Sequence, residues 1–192
     1  MIYMCLADGF EEVEALAPLD LLRRAGAEIR TVRIGDGKAA LGSHGISVLC
    51  DLTQQEADPA LPDMLILPGG MPGATNLDAS DFVDKTIRQI LKKGGRLAAI
   101  CAAPLILGKR GILSGKHAVC YPGFEKELLG ATIEKDAGVV TDGAVTTSKG
   151  MGTAFAFGLE LVRVLYGEEK ANALREATMR PYAEETAIYP QA

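Results

Sequence analysis

No stretch of this chain is apolar for long enough to cross a membrane. The longest apolar run, Leu97 to Leu107, covers 11 residues and contains Pro104, far short of the ~20 that a spanning helix needs. No basic segment leads into an apolar one at the start, where Met1 to Ala7 meets Asp8 directly, so a secretory leader is not expected. There is no Asn-x-Ser/Thr sequon. These absences set the expectation of a cytoplasmic protein without a membrane partner. Basic residues are not in excess either: 20 Lys and Arg face 25 Asp and Glu, a formal net charge of −5. A protein that binds nucleic acid by neutralising phosphates leans the other way, so no specific nucleic-acid partner is expected.

The chemistry-bearing residues are also sparse. Cysteines stand at 5, 50, 101 and 120 with no Cys-x-x-Cys among them, which points to reduced thiols rather than a disulfide framework. Histidine occurs only at 44 and 117. His117-x-x-Cys120 lacks a second pair to complete a metal site, so no metal is expected. No Walker A string exists. Gly35-Asp36-Gly37-Lys38-Ala39-Ala40 fits a loose Gly-x-Gly-x-x-Ala pattern. It leads into Leu41-Gly42-Ser43-His44-Gly45, a poor helix, and so fails the context a dinucleotide site requires.

What is present is a chain of 192 residues, 48% hydrophobic and 23% charged. That suits one domain over 1–192, with 181–192 as a C-terminal tail. Short apolar runs alternate with amphipathic segments. Strands are expected at 2–7, 28–34, 64–67, 96–100 and 117–120, and hairpins over 39–49 and 139–148. Helices are expected at 11–25, 78–93, 104–108, 152–166 and 168–178, with a turn or two at 124–129. Pro18 should bend the first helix. This alternation implies an α/β fold, a mostly parallel sheet covered on both faces. Ligand sites of such sheets lie beyond the carboxyl ends of the strands.

Cys101 directly follows one of those strands and precedes a helix start, with Ala102 and Ala103 beside it. This order matches a nucleophile elbow, in which a sharp turn exposes one side chain at the top of the sheet. A helix N-terminus there favours thiolate over thiol. The other three cysteines sit in or beside strands with no obvious positive neighbour. Pro68-Gly69-Gly70 ends the neighbouring strand, where glycine lets backbone N–H groups reach a ligand or hold an oxyanion. Glu11, Glu12 and Glu14 crowd the start of the first helix, as the helix dipole favours. Glu14 lies one position past Val13, where a bent helix could aim it at the sheet top. Beside Cys101 its pKa would rise and make it a proton donor.

Four segments together carry a family resemblance. They are Asp8-Gly9-Phe10-Glu11-Glu12-Val13-Glu14, Leu67-Pro68-Gly69-Gly70, Ala98-Ala99-Ile100-Cys101-Ala102-Ala103-Pro104 and Thr147-Ser148-Lys149-Gly150-Met151-Gly152-Thr153. In this order and spacing, over roughly residues 1–180, the chain resembles the ThiJ/PfpI superfamily, on the DJ-one and YajL-like branch. The resemblance implies a flavodoxin-like three-layer sandwich with an added edge hairpin, and a homodimer. It implies a reactive cysteine matched by Cys101 and a protonated glutamate hydrogen-bonded to it, matched by Glu14. Its oxyanion site falls on the backbone amides of Gly70 and Ala102. Gly69, Tyr121 and His44 are further pocket residues. The chain departs from the pattern at two of these, Tyr121 standing where a histidine is frequent and His44 where an arginine is. A phenol cannot replace imidazole as a neutral-pH base, which counts against protease and amidotransferase chemistry.

The function expected from this set is cofactor-free cysteine chemistry on small reactive carbonyls, of the glyoxalase III or deglycase type. The alternative is a redox-sensing stress protein or chaperone, whose Cys101 is oxidised to sulfinate without turnover.

Overall fold

The computed structural model describes residues 1–179, so the expected tail at 181–192 lies outside the described residues. In chain order the elements are β1 (Ile2–Ala7), α1 (Glu12–Arg24), β2 (Ile29–Ile34), β3 (Ala39–Leu41), β4 (Ser47–Leu49), β5 (Leu52–Thr53) and β6 (Met64–Leu67). Then come α2 (Gly73–Asp78), α3 (Asp81–Lys93), β7 (Arg96–Ile100), α4 (Pro104–Lys109), β8 (His117–Ala118) and β9 (Thr132–Ile133). The last are β10 (Val139–Asp142), β11 (Val145–Ser148), α5 (Ala154–Tyr166) and α6 (Glu168–Ala177).

Seven strands form one sheet in the order β10-β11-β7-β6-β1-β2-β5. Every neighbouring pair is parallel except β10 with β11, the hairpin at one edge. The central five, taken in chain order, run 2-1-3-4-5, the flavodoxin-like arrangement. Both faces are covered. Tyr3, Cys5 and Ala7 of β1 enter the core that includes Leu77, Val83 and Ile87 of α2 and α3. Ile2, Met4 and Leu6 enter the core that includes Leu19 of α1 and Phe157 and Leu161 of α5. Period-two alternation with both sets apolar is what a sheet sandwiched by helices requires. Since β1 lies between β2 and β6, the chain reverses its direction across the sheet there. The crevice at such a switch point opens at the carboxyl ends of β1 and β6.

Several local expectations are corrected. The helix expected at 78–93 begins at Asp81, because the Ser80 hydroxyl accepts from the Val83 amide at 3.3 Å and caps α3; Asp78 instead ends α2, Gly73–Asp78, a helix the sequence reading did not expect. The strand expected at 117–120 is only His117–Ala118, paired with Thr132–Ile133 in a separate two-stranded sheet. The helical turns at 124–129 reduce to a 3₁₀ turn, Glu125–Glu127. Another, Met151–Thr153, precedes α5. Strands β5 and β9 have two residues each, too few for periodicity to reveal. Pro18 sits inside α1 without ending it, packed where Gly158 of α5 leaves no room for a side chain. Val13 and Leu16, part of the apolar pattern of α1, are half-exposed, while Ala15, Leu19 and Leu22 face the core.

Candidate active site at the carboxyl end of the sheet

Cys101 is the first residue after β7 and has φ 65°, a left-handed backbone that a non-glycine residue adopts only when its surroundings hold it there. Two hydrogen bonds do so: the Cys101 amide donates to the Ser148 carbonyl at 2.9 Å, and the Tyr121 amide donates to the Cys101 carbonyl at 2.8 Å. Pro104 then opens α4 at a position where its missing N–H costs nothing. The result is the strand-to-helix elbow that the sequence order implies, with the sulfur half-buried while the other three cysteines are buried.

Glu14 reaches the same point from α1. Glu11 caps that helix, its carboxylate accepting from the Glu14 amide at 2.6 Å. The Glu14 carboxylate accepts from the Gly69 amide at 3.0 Å, and the Cys101 thiol and the Met151 amide act on it as well. Gly69 allows this meeting. A Cβ there would stand 2.5 Å from both the Cys101 Cβ and Glu14 Oε2, so any larger residue would push the pair apart. The backbone amides of Gly70 and Ala102 act on the Cys101 sulfur and favour its charged form.

Burial pushes Glu14 up to about 7, assisted by the charge of Glu11 and opposed by the bonds from Cys101, Gly69 and Met151. Burial also pushes the Cys101 thiol up to about 12. The facing Glu14 carboxylate adds to this, and the Gly70 and Ala102 amides only partly offset it. The thiol is therefore not lowered by the helix N-terminus as expected; α4 is six residues long, and the desolvation and carboxylate outweigh it. Of the two, Glu14 is thus the readier to give up its proton as pH rises. Two of the other thiols do have positive neighbours, Arg33 and Lys38 at Cys50 and Lys149 at Cys120, yet burial raises both to about 11.

His44 and Tyr121 are placed differently from each other. The Tyr121 ring lies against Gly150, where a Cβ would be 3.3 Å from the ring and 3.7 Å from Glu14 Oε1. His44 is held instead by Glu12, through its amide at 2.7 Å and Nδ1 at 2.8 Å. No hydrogen bond or ion pair joins it to Cys101 or Glu14 among the described residues. Glu11, Glu12 and His44 bring three potential ligand atoms within 4.8 Å of one another, but Glu11 and Glu12 already accept from backbone amides. The sequence reading assigned Glu11 only to the helix dipole and gave no role to Ser148 or Met151. Their contributions come through backbone groups and a cap, which side-chain identity does not advertise.

The profile of the DJ-1/PfpI family matches residues 1–164. The chain belongs to this family. Among its relatives, protein dj-1beta of Drosophila melanogaster is 35% identical over 178 residues, 92% of this chain and 95% of that protein. A protein of Pyrococcus abyssi named as a deglycase is 32% identical over 160 residues, 83% of this chain and 95% of that one. Among solved structures, oxidized DJ-1 of Toxoplasma gondii superposes with a TM-score of 0.88 at 31% identity, covering 93% of this chain and 97% of that one. As elsewhere in the family, the fold is flavodoxin-like. No helix among the described residues is long and apolar enough to cross a membrane.

Proposed function

We propose that this family member is a cofactor-free enzyme that converts 2-oxoaldehydes, or their adducts, to hydroxy acids, with Cys101 as nucleophile and Glu14 as acid and base. The observation that carries this reading is the convergence of Cys101 and the Glu14 carboxylate on Gly69, where one added Cβ would meet both, with the Gly70 and Ala102 amides acting on the sulfur. Glu14, raised to about 7, suits proton transfer at neutral pH, where a group is most useful when its pKa lies near the working pH. In the first step the sulfur bonds to the aldehyde carbon, the thiol proton passes to Glu14, and the carbonyl electron pair moves to oxygen against the two amides. Glu14 returns that proton to the oxygen, completing a hemithioacetal. As carboxylate it then takes the proton from the same carbon and delivers it to the neighbouring carbonyl carbon, while the hydroxyl proton passes from the first oxygen to the neighbouring one. One carbon is oxidised to a thioester and its neighbour reduced to an alcohol, with no external electron carrier. Water hydrolyses the thioester and restores the thiol. Steady-state conversion of methylglyoxal to lactate by purified protein, with Cys101→Ala as control, tests the reading; absence of Cys101-dependent turnover would reject it.

The redox alternative has its own support, since Cys101 alone of the four cysteines is not fully buried. Its sulfinate oxygens would accept from the same amides and from protonated Glu14. Oxidation of Cys101 before the others under graded peroxide, combined with no turnover, would favour it. For assembly we propose a homodimer through α1 and the β3–β4 hairpin, where Val13, Leu16, Leu41, Ile46 and Leu49 are exposed. Sedimentation of a monomer at micromolar concentration would refute this. A cytoplasmic location remains part of the same proposal.

A further inference from the structure

The surroundings of Cys101 carry information about substrate beyond the reactive carbonyl. The charges acting chiefly on the pair are negative: Glu14 on the sulfur and Glu11 on Glu14. Neighbouring cations are engaged elsewhere. The Lys149 ammonium is bound to the Lys135 carbonyl and His44 to Glu12. Large uncharged side chains stand beside the pair instead. Tyr121 is 52% exposed with its ring over Gly150, next to Glu14. Met151, whose amide acts on Glu14, is 56% exposed. Large surfaces left open beside a buried polar pair are unusual unless something covers them.

We propose that Tyr121, with Met151, makes the entrance selective for uncharged carbonyl substrates bearing an aromatic or bulky apolar substituent, and selective against anionic ones. This rests on the reading of Cys101 as the nucleophile toward carbonyl carbon. The substituent stacks on the Tyr121 ring and contacts the Met151 thioether, which adapts to irregular apolar shapes. A carboxylate or phosphate on the substrate would meet the negative charges of Glu14 and Glu11.

The test compares kcat/KM for glyoxal, methylglyoxal and phenylglyoxal after subtracting a Cys101→Ala background. Phenylglyoxal should exceed glyoxal by ~10-fold or more, a ratio that Tyr121→Ala lowers by ~10-fold and Tyr121→Phe retains. A ratio near one in the wild type, or one unchanged in Tyr121→Ala, would overturn the proposal. A second readout needs no turnover. Alkylation of Cys101, followed by peptide mass spectrometry and normalised to a free thiol, should favour a phenacyl halide over iodoacetamide, and iodoacetamide over iodoacetate. Tyr121→Ala should narrow the first preference. If turnover is absent while these preferences hold, the enzymatic reading fails and the selective entrance stands. Equal normalised rates would refute the selective entrance whatever the turnover.

Discussion

Glu12 and Glu14 leave the same turn of α1, and each packs against a glycine, yet their surroundings drive them in opposite directions. Glu12 is 4% exposed and Glu14 1%, so lack of solvent contact alone does not decide. Over Glu12 lies a single turn, 43–46, whose own residues are exposed. There burial works to raise the carboxyl, but the His44 ring, its amide and the Ile46 amide together hold it down to about 2. Glu14 lies deeper, and burial there prevails, raising it to about 7 against the Cys101 thiol and the Gly69 and Met151 amides. Gly42 walls the first pocket, where a Cβ would come 2.2 Å from Glu12 Oε1; Gly69 walls the second. Two carboxylates two residues apart thus become a structural anchor for the hairpin and a group poised to exchange a proton.

The sharpest way to break this comparison is to remove the partner that only Glu14 has. Cys101→Ser should reduce turnover to background, whereas Cys120→Ser should cost stability, about 1–3 kcal/mol for a hydroxyl in an apolar site, with turnover within ~2-fold. Methylglyoxal assays and urea melts would read both. The next effect separates the carboxylates themselves. Glu14→Gln should lower kcat by ~10²–10⁴-fold with the fold intact. Glu12→Ala should leave kcat within a few-fold but lose about 1–3 kcal/mol, because the hairpin amides lose their acceptor. A smaller loss than tenfold for Glu14→Gln would return that residue to a packing role. Gly69→Ala should then cost turnover by ~10²-fold through displacement of the pair; a crystal structure with Cys101 and Glu14 undisturbed would contradict the close-packing argument.

The two carboxylates should also act oppositely on stability as pH changes. Glu12 is depressed from 4.5 to about 2, so the unfolded chain binds its proton more readily. Its contribution is present above 4.5 and is lost as pH falls toward 2. Glu14 is raised from 4.5 to about 7, so the folded chain binds the extra proton, and stability declines as pH rises between those values. Urea midpoints across pH should lose the acid limb in Glu12→Gln and the near-neutral decline in Glu14→Gln. The smallest expected effect is that of His44→Ala. It should lower the urea midpoint less than Glu12→Ala does, and leave kcat within ~2-fold.

Much of this was legible before the fold was known. Apolar runs at Ile2 to Ala7 and Met64 to Leu67 identify strands because a two-sided core demands them, and Cys101 is conspicuous because a strand ends where a proline-led helix begins. Glu14 could be singled out, but the sign of its effect on Cys101 could not. That sign depends on how deeply both groups are buried and on the amides of Gly69, Gly70, Ala102 and Met151, which every residue but proline possesses. His44 was grouped with the pocket by analogy, and only the path of the turn at 43–46 assigns it to Glu12. The start of α3 is not set by periodicity, since the amphipathic pattern runs from Asp78; the contact of the Ser80 hydroxyl with the Val83 amide sets it.

The central claim is that Cys101 and Glu14 form one proton-sharing unit whose reactive monoanion appears near neutrality. The rate of Cys101 alkylation by iodoacetamide, followed from pH 5 to 10 in wild type and in Glu14→Gln, tests it most directly. Wild type should show a rise centred at about 7 followed by a plateau, and Glu14→Gln should lack that inflection. A rate that climbs without an inflection near 7, or one that keeps it in Glu14→Gln, would contradict the account.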